Sequence, residues 1–246
     1  MNITFSNIFF SHSFWKFADW IYPPTCCGCG KVGYRFCDEC LRHVETFSDS
    51  ICICCGETRT QRGFCSRCKR EQPHFVSLRS WGIFSGPLRD AVHSLKYHRN
   101  LSLGDFFTPY LFEIVRIENW QIDAVAAIPL NKDRFKERGY NQAEVLARPL
   151  ANLLKVPIIS ASIVRVKKTQ SQVGLSLPQR KSNVENAFLA DHQIVNLKKV
   201  LIVDDVATTG STIDACSQSL LDAGAKSVFG LTLARALKQT DDFMQA

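Results

Sequence analysis

Apolar residues along the chain change their spacing several times, and each change marks a predicted element. Residues 200–203 (Val-Leu-Ile-Val) form an unbroken apolar run, the signature of a short parallel strand buried on both faces. Beyond it Ile213, Cys216, Leu220 and Ala223 recur at helical spacing as far as Gly224, which predicts a helix and its stop. Upstream, residues 75–84 read as a strand, and Ser85-Gly86-Pro87 turns the chain into a helix through about Tyr97. That helix has Leu88, Ala91, Val92 and Leu95 on its apolar face and Lys96, His98 and Arg99 as cations at its C-terminal end. A helix is predicted over residues 102–118 and a strand over 122–128. Asn141, as N-cap with Glu144 as its partner, opens another helix with Leu146, Leu150 and Leu153 inward, bent at Pro149. A strand over 158–166, a polar segment over 167–183 and a strand over 227–233 follow, and Arg235 opens a polar tail. This alternation predicts an open α/β sheet.

The chain before residue 75 is built differently. Phe5, Ile8, Phe9, Phe14, Phe17, Ala18 and Ile21 fall at broadly helical spacing within residues 1–22, and Pro23-Pro24 ends the pattern. Lys16 and Asp19 give that helix no basic face for anionic lipid, so it is expected to dock on the rest of the protein. Residues 23–70 are then cysteine-rich, and residues 75–246 make a larger domain.

Cysteine usage sharpens this division. Ten of the eleven cysteines lie within residues 26–68, and eight of those form C-x-x-C pairs. The pairs are Cys26/Cys29, Cys37/Cys40, Cys52/Cys55 and Cys65/Cys68. Two such knuckles complete a tetrahedral four-thiolate zinc site, so eight ligands predict two zinc ions. Four thiolates leave no position for water, which makes the zinc structural, and metal binding supplies the folding free energy that so short a module lacks. Sequential and interleaved pairing of the knuckles both satisfy this chemistry, and Cys27 and Cys54 are spare thiols able to replace a neighbour. No signal-peptide pattern and no apolar run of membrane-spanning length is present, so a cytoplasmic chain without stable membrane insertion is expected.

The candidate chemistry lies where the buried strand ends. Asp204 and Asp205 follow the apolar run, and Val206, Ala207, Thr208, Thr209, Gly210, Ser211 and Thr212 lead into the helix. In an open α/β sheet this crossing is where ligands bind, and free backbone N–H groups at a helix start favour an anion such as phosphate. Helix-dipole help amounts to about 0.3–1 kcal/mol, against roughly 1.5–3 for each hydrogen bond to a charged group, so N–H and hydroxyl donors over residues 208–212 must do most of the holding. The glycine-rich loop and lysine of a Walker ATPase are absent. Adjacent carboxylates ahead of a phosphate cradle suit the vicinal hydroxyls of a pentose phosphate. After the strand over 122–128, Pro129, Lys132, Arg134, Lys136 and Arg138 mark a basic loop suited to a second phosphate group such as pyrophosphate. No acidic residue occurs from Val145 to Val184, and the segment over 167–183, with Gln172 and Gly174, is expected to close over a ligand. The formal charge of +7 agrees with anionic partners and says nothing of fold.

The paired knuckles, Pro129-Leu130 ahead of Arg134, the string Arg138-Gly139-Tyr140-Asn141-Gln142 and the strand-acid-loop motif of residues 200–212 occur here in one order. Together they resemble the ComF competence-protein family over nearly the full length. Where that family often carries a second proline two positions after the first, Asn131 stands here. The resemblance implies a type I phosphoribosyltransferase domain, a Rossmann-like parallel sheet with helices on both faces, preceded by a small double zinc ribbon. It implies binding of 5-phosphoribosyl-1-pyrophosphate (PRPP) with Mg²⁺. Ribose contacts would fall to Asp204 and Asp205, 5′-phosphate contacts to residues 208–212, and a pyrophosphate loop to the segment from Pro129.

As an enzyme, the chain would hold the ribose through the two acids, as catalytic residues, while charge develops at the anomeric carbon and pyrophosphate departs. The resemblance also links it to DNA uptake and to partners in the competence machinery. The rival reading is a non-catalytic protein that handles single-stranded DNA through the basic stretch and aromatics such as Tyr34, Phe36, Phe64 and Tyr140, and keeps the phosphoribosyltransferase fold as a sensor.

Overall fold

The computed structural model describes residues 23–47, 50–59, 61, 63–166 and 186–237. The predicted helix within residues 1–22 and the predicted ligand-covering segment over 167–183 lie outside them.

The centre is a four-stranded, all-parallel sheet in the order β1-β6-β5-β2. Its strands are β1 (Ser77–Ile83), β2 (Ala124–Ala127), β5 (Lys199–Ala207) and β6 (Ser227–Arg235). Both faces are covered, which is why β5 reads as an unbroken apolar run: Leu201 and Val203 pack into one half of the core, Val200 and Ile202 into the other. Helices α3 (Gly86–Tyr97), α4 (Ser102–Ile117) and α6 (Gln142–Leu154) cover the first face. Helix α8 (Ser211–Asp222) and a two-stranded antiparallel sheet of β3 (Ile163–Arg165) and β4 (Phe188–Ala190), followed by the short α7 (His192–Val195), cover the second. Helices α4 and α6 approach so closely that a Cβ on Gly104 would lie 2.2 Å from the Val145 carbonyl.

The two knuckle pairs form separate ribbons, each with one short helix, α1 (Asp38–Arg42) or α2 (Ser66–Arg70). Cys26, Phe36, Cys37 and Cys40 join the core half that contains α3 and α4, with Phe36 edge-on to Phe106 and Phe107. The second ribbon joins the α8 half with Phe75 and Leu78, and closes the free edge of β1, where the Leu78 N–H donates to the Cys54 carbonyl at 2.8 Å.

Several expectations change. The basic segment after Pro129 is a helix, α5 (Lys132–Arg138), because the Asn131 side chain accepts from the Asp133 N–H and Gly139 ends it at φ 81°. The strand expected over 158–166 splits into a single bridge at Ile158, a 3₁₀ turn and β3. Leu153 is 45% exposed, and Glu144 pairs with Arg148 instead of returning to the cap. Arg235, expected to open a frayed tail, is the last residue of β6 and 3% exposed. No helix among the described residues is long and apolar enough to cross a membrane.

Candidate functional site and metal centres

Metal centres come first because they fix the site's frame. Cys26, Cys29, Cys37 and Cys40 gather at one point and Cys52, Cys55, Cys65 and Cys68 at another, with all sulfurs of a group within 4.8 Å of one another. Neighbouring sulfurs lie 3.6 Å apart in Cys26–Cys40 and Cys29–Cys37, and 3.7 Å apart in Cys55–Cys65. A tetrahedron with Zn–S bonds of about 2.3 Å requires roughly 3.8 Å, so both tetrads fit zinc, and pairing is sequential. The second knuckle of each ribbon caps its helix with sulfur: Cys37 accepts from the Cys40 N–H at 3.5 Å and Cys65 from the Cys68 N–H at 3.4 Å. Burial works against thiolate at Cys26, but backbone N–H donors outweigh it and lower that pKa to about 6; the same balance puts Cys52 at about 7. Burial raises Cys27 to about 12 and Cys54 to about 11, so the spare thiols stay neutral and outside the tetrads.

The cavity at the C-terminal end of the sheet is about 400 Å³. Every residue from Asp204 to Thr212 except Thr209 lines it, with Phe84 and Ala236 from neighbouring strand ends and His93, Lys96 and Tyr97 from α3. The parallel sheet delivers these groups together because its strands all end on one side. A larger groove of about 660 Å³, between the first ribbon and the far side of α3, shares only His93 and lacks the acids and the loop.

Strand β5 continues through the acids, so successive side chains leave it on opposite faces. Asp205 is buried and meets the Lys96 ammonium at 2.7 Å; Asp204 is partly buried and accepts from the Asp205 N–H at 2.9 Å. Burial and then the charge of Asp205 push the Asp204 carboxyl well above the usual range. Burial pushes Asp205 upward too, but Lys96 outweighs it and holds that carboxyl below the usual range. Of the two neighbouring acids, Asp205 is therefore the one that ionises first. Arg165 from β3 adds a partly buried cation on the Asp204 side, 5.4 Å from the Phe188 ring centre. Lys96, read from sequence as a helix-end cation, is thus a member of the acid site. No sequence pattern links positions 96 and 205; only packing of α3 against the strand ends does.

After Ala207 the chain turns through Gly210 at φ 81°, a conformation that disfavours a side chain, and enters α8 at Ser211. The buried Thr209 faces away from the cavity, its hydroxyl 2.7 Å from that of Ser211. The turn thus offers hydroxyls of Thr208, Ser211 and Thr212 and the N-terminal end of α8 beside the acids.

The basic segment begins at the same sheet end, where the Ile128 N–H donates to the Val203 carbonyl at 2.9 Å. Lys132, Arg134 and Lys136 are exposed, and neither they nor Pro129 lines the cavity. Arg138 bonds Gln142 at 2.7 Å and lies over the Tyr97 ring at 5.1 Å, and Tyr97 does line it. Phe84, His93 and Tyr97 are linked ring to ring at 6.1 and 5.8 Å. This aromatic wall, which the sequence pattern did not disclose, faces the acids. Of the aromatics proposed for nucleic acid, Tyr34 and Phe64 are exposed, whereas Phe36 is buried and Tyr140 is spent on the Leu95 carbonyl.

Family models match the chain as a double zinc ribbon domain over residues 17–69 and a phosphoribosyl transferase domain over residues 140–242. The DNA utilization protein YhgH of Salmonella typhimurium is 35% identical over 210 residues, covering 83% of this chain and 92% of that one. Competence protein F of Haemophilus influenzae is 30% identical over 208 residues, covering 81% and 90%. Among solved structures, the glutamine PRPP amidotransferase of B. subtilis, complexed with ADP and GMP, is 19% identical with a TM-score of 0.36, covering 69% of this chain and 30% of that one.

Proposed function

The chain belongs to the ComF competence-protein family, a double zinc ribbon followed by a phosphoribosyltransferase domain, and on that footing we propose that its strand-end cavity binds PRPP with Mg²⁺ and transfers the phosphoribosyl group with loss of pyrophosphate. One observation carries the reading: a single stretch of chain places two adjacent carboxyl groups beside a loop of hydroxyl-bearing residues and a helix start, in one cavity.

In this reading Asp205, paired with Lys96, and Asp204 meet the vicinal ribose hydroxyls, and residues 208–212 receive the 5′-phosphate. Mg²⁺ is a hard cation that takes oxygen ligands; when bound it supplies charge neutralisation for pyrophosphate, and the Asp204 and Asp205 carboxylates with the Thr208 hydroxyl are the oxygens at hand. Arg138 and the exposed cations of α5 stand on the flank where pyrophosphate leaves. Phe84, His93 and Tyr97 form the wall against which a flat acceptor stacks.

A second reading draws on the surface. Tyr34 is 42% exposed with the Lys31 ammonium 5.1 Å from its ring centre, and α5 presents Lys132, Arg134 and Lys136 outward, a combination suited to single-stranded DNA. Relatives named for DNA utilization and competence agree with it, and with partners in that machinery. Zinc thiolates persist in a reducing compartment, and we read the chain as cytoplasmic.

Calorimetric titration of the zinc-loaded chain with PRPP and Mg²⁺, beside the Asp204→Asn, Asp205→Asn double variant, tests the first reading. Micromolar binding lost in the variant supports it; no binding by a folded wild-type chain removes it. The second reading requires affinity for a single strand to fall steeply with added salt.

A further inference from the structure

The second ribbon reaches the loop from behind, on the side away from the cavity. Arg67 stands in α2 between Cys65 and Cys68, and its Nη1 donates to the Thr209 carbonyl at 2.5 Å. Seven residues on, His74 bonds the Asp214 carboxylate at the start of α8 through its backbone N–H at 2.6 Å and its Nδ1 at 3.1 Å. Arg235 comes from β6, 3% exposed, with an Nη1 that has no hydrogen-bond partner among the described residues. That nitrogen would lie 3.7 Å from a Cβ on Gly56, the residue after Cys55, so it sits at the thiolate cluster. Its main chain brackets the loop's root, since the neighbouring Ala236 N–H donates to the Ala207 carbonyl at 2.9 Å. Four thiolates around Zn²⁺ carry a net charge of about −2, and two guanidinium groups match it.

The Arg67 bond has a geometric consequence. In a trans peptide unit the carbonyl and the following N–H point in opposite directions. Anchoring the Thr209 carbonyl on the ribbon side therefore turns the Gly210 N–H toward the cavity, and the positive φ at Gly210 lets the chain continue into α8 from there. We propose that Arg67 is a positioning residue: it sets the 209–210 peptide for an anion and makes the loop's shape depend on metal in the second ribbon but not in the first. The anion role rests on the PRPP reading above; the dependence on metal does not. Coupling is reciprocal, so an anion that needs the ordered loop must also slow zinc release from the second ribbon.

The test uses the full-length, zinc-loaded chain. Hydrogen exchange is followed in peptides spanning residues 204–213 for wild type, Arg67→Met, Arg67→Lys, Cys65→Ser and Cys29→Ser, with zinc counted per chain. Arg67→Met keeps both zinc ions, and its loop exchanges about tenfold faster, the scale set by one charge-assisted bond. Cys65→Ser loses one zinc and deprotects the loop equally; Cys29→Ser also loses one and leaves the loop unchanged. Where wild type binds PRPP with Mg²⁺, Arg67→Met binds about tenfold more weakly, and PRPP slows chelation of one zinc only. Wild-type loop exchange in a zinc-replete Arg67→Met chain overturns the proposal, as does equal loop deprotection by Cys29→Ser. If Arg67→Met cannot retain zinc, Arg67→Lys decides, because it keeps a cation by the thiolates and loses the guanidinium's reach: unchanged exchange refutes and faster exchange supports. Failure of wild type to bind PRPP removes the functional reading alone.

Discussion

The two ribbons have the same ligand spacing at their helical knuckles, the same sulfur caps and nearly the same sulfur separations, yet they do different work. The first packs on α4 and on α3, the helix that carries His93, Lys96 and Tyr97 to one wall of the cavity, and leaves Cys29 exposed. The second buries all four of its cysteines, closes the edge of β1 and braces the loop that forms the opposite wall. A repeated metal motif thus says little about function until its neighbours are known. Each ribbon is a buttress for one side of the same site.

The sharpest way to break this comparison is to remove one ligand from each ribbon. Cys65→Ser takes metal from a cluster inside the core and should lower Tm by more than about 10 °C, several kcal/mol at this size, whereas Cys29→Ser at the exposed position should cost less than half as much. Thermal unfolding with zinc analysis reads both. Equal losses would make the two modules energetically alike.

Next in size is the contact that joins the two walls. Lys96→Met leaves the Asp205 carboxylate buried without its partner, an expected cost of about 2–3 kcal/mol near pH 7, below the full value for a buried pair because Lys96 is 21% exposed. A carboxyl held below its ordinary pKa contributes stability above its unfolded pKa and loses it as pH falls through the folded one. The penalty should therefore persist at pH 5–8 and fade below about pH 4. Denaturant melts across that range check the sign, and a penalty that grows toward acid would refute the pairing.

A smaller effect separates equivalent glycines. Gly30 and Gly56 each follow the second cysteine of a first knuckle, at φ 77° and 68°. A Cβ on Gly30 meets nothing within 4 Å, whereas one on Gly56 would lie 2.6 Å from the Leu78 carbonyl. Gly30→Ala should cost about 1 kcal/mol from backbone conformation alone and Gly56→Ala about 2–3, because β1 must also give way. Urea midpoints distinguish them. Least in free energy, a colorimetric chelator should draw out one zinc about tenfold faster than the other, an activation difference of about 1.4 kcal/mol, and Cys29→Ser should abolish the fast phase.

Much of this was legible in the sequence because it is local. The C-x-x-C spacing, the strand-acid-loop-helix run and the stop at Gly224 each follow from residues that are neighbours in the chain, and the structure has them as expected. What escaped is non-local or context-dependent. Lys96 and Asp205 meet only after α3 packs. Knuckle pairing depends on which ends fold together. The segment after Pro129 looked like a loop because its cations mask a helical run that Asn131 caps. Arg235 read as a tail because a lone arginine at a strand end is ordinarily solvated, whereas here the thiolate cluster gives it a buried setting.

The strand order has a consequence for biosynthesis. Strand β1 pairs only with β6 in the sheet, and β6 begins at Ser227 while β1 ends at Ile83. At ribosomal speeds of about 5–20 residues per second, β1 is made roughly 7–29 s before its partner. Throughout that interval an unpaired edge would invite association with other nascent chains. The second ribbon is fully synthesised by then, and in the folded chain its Cys54 carbonyl accepts from the Leu78 N–H on the opposite edge of β1. Zinc bound early in synthesis is therefore expected to cover one of the two edges of β1 before β6 exists, and to leave the other open until β6 arrives.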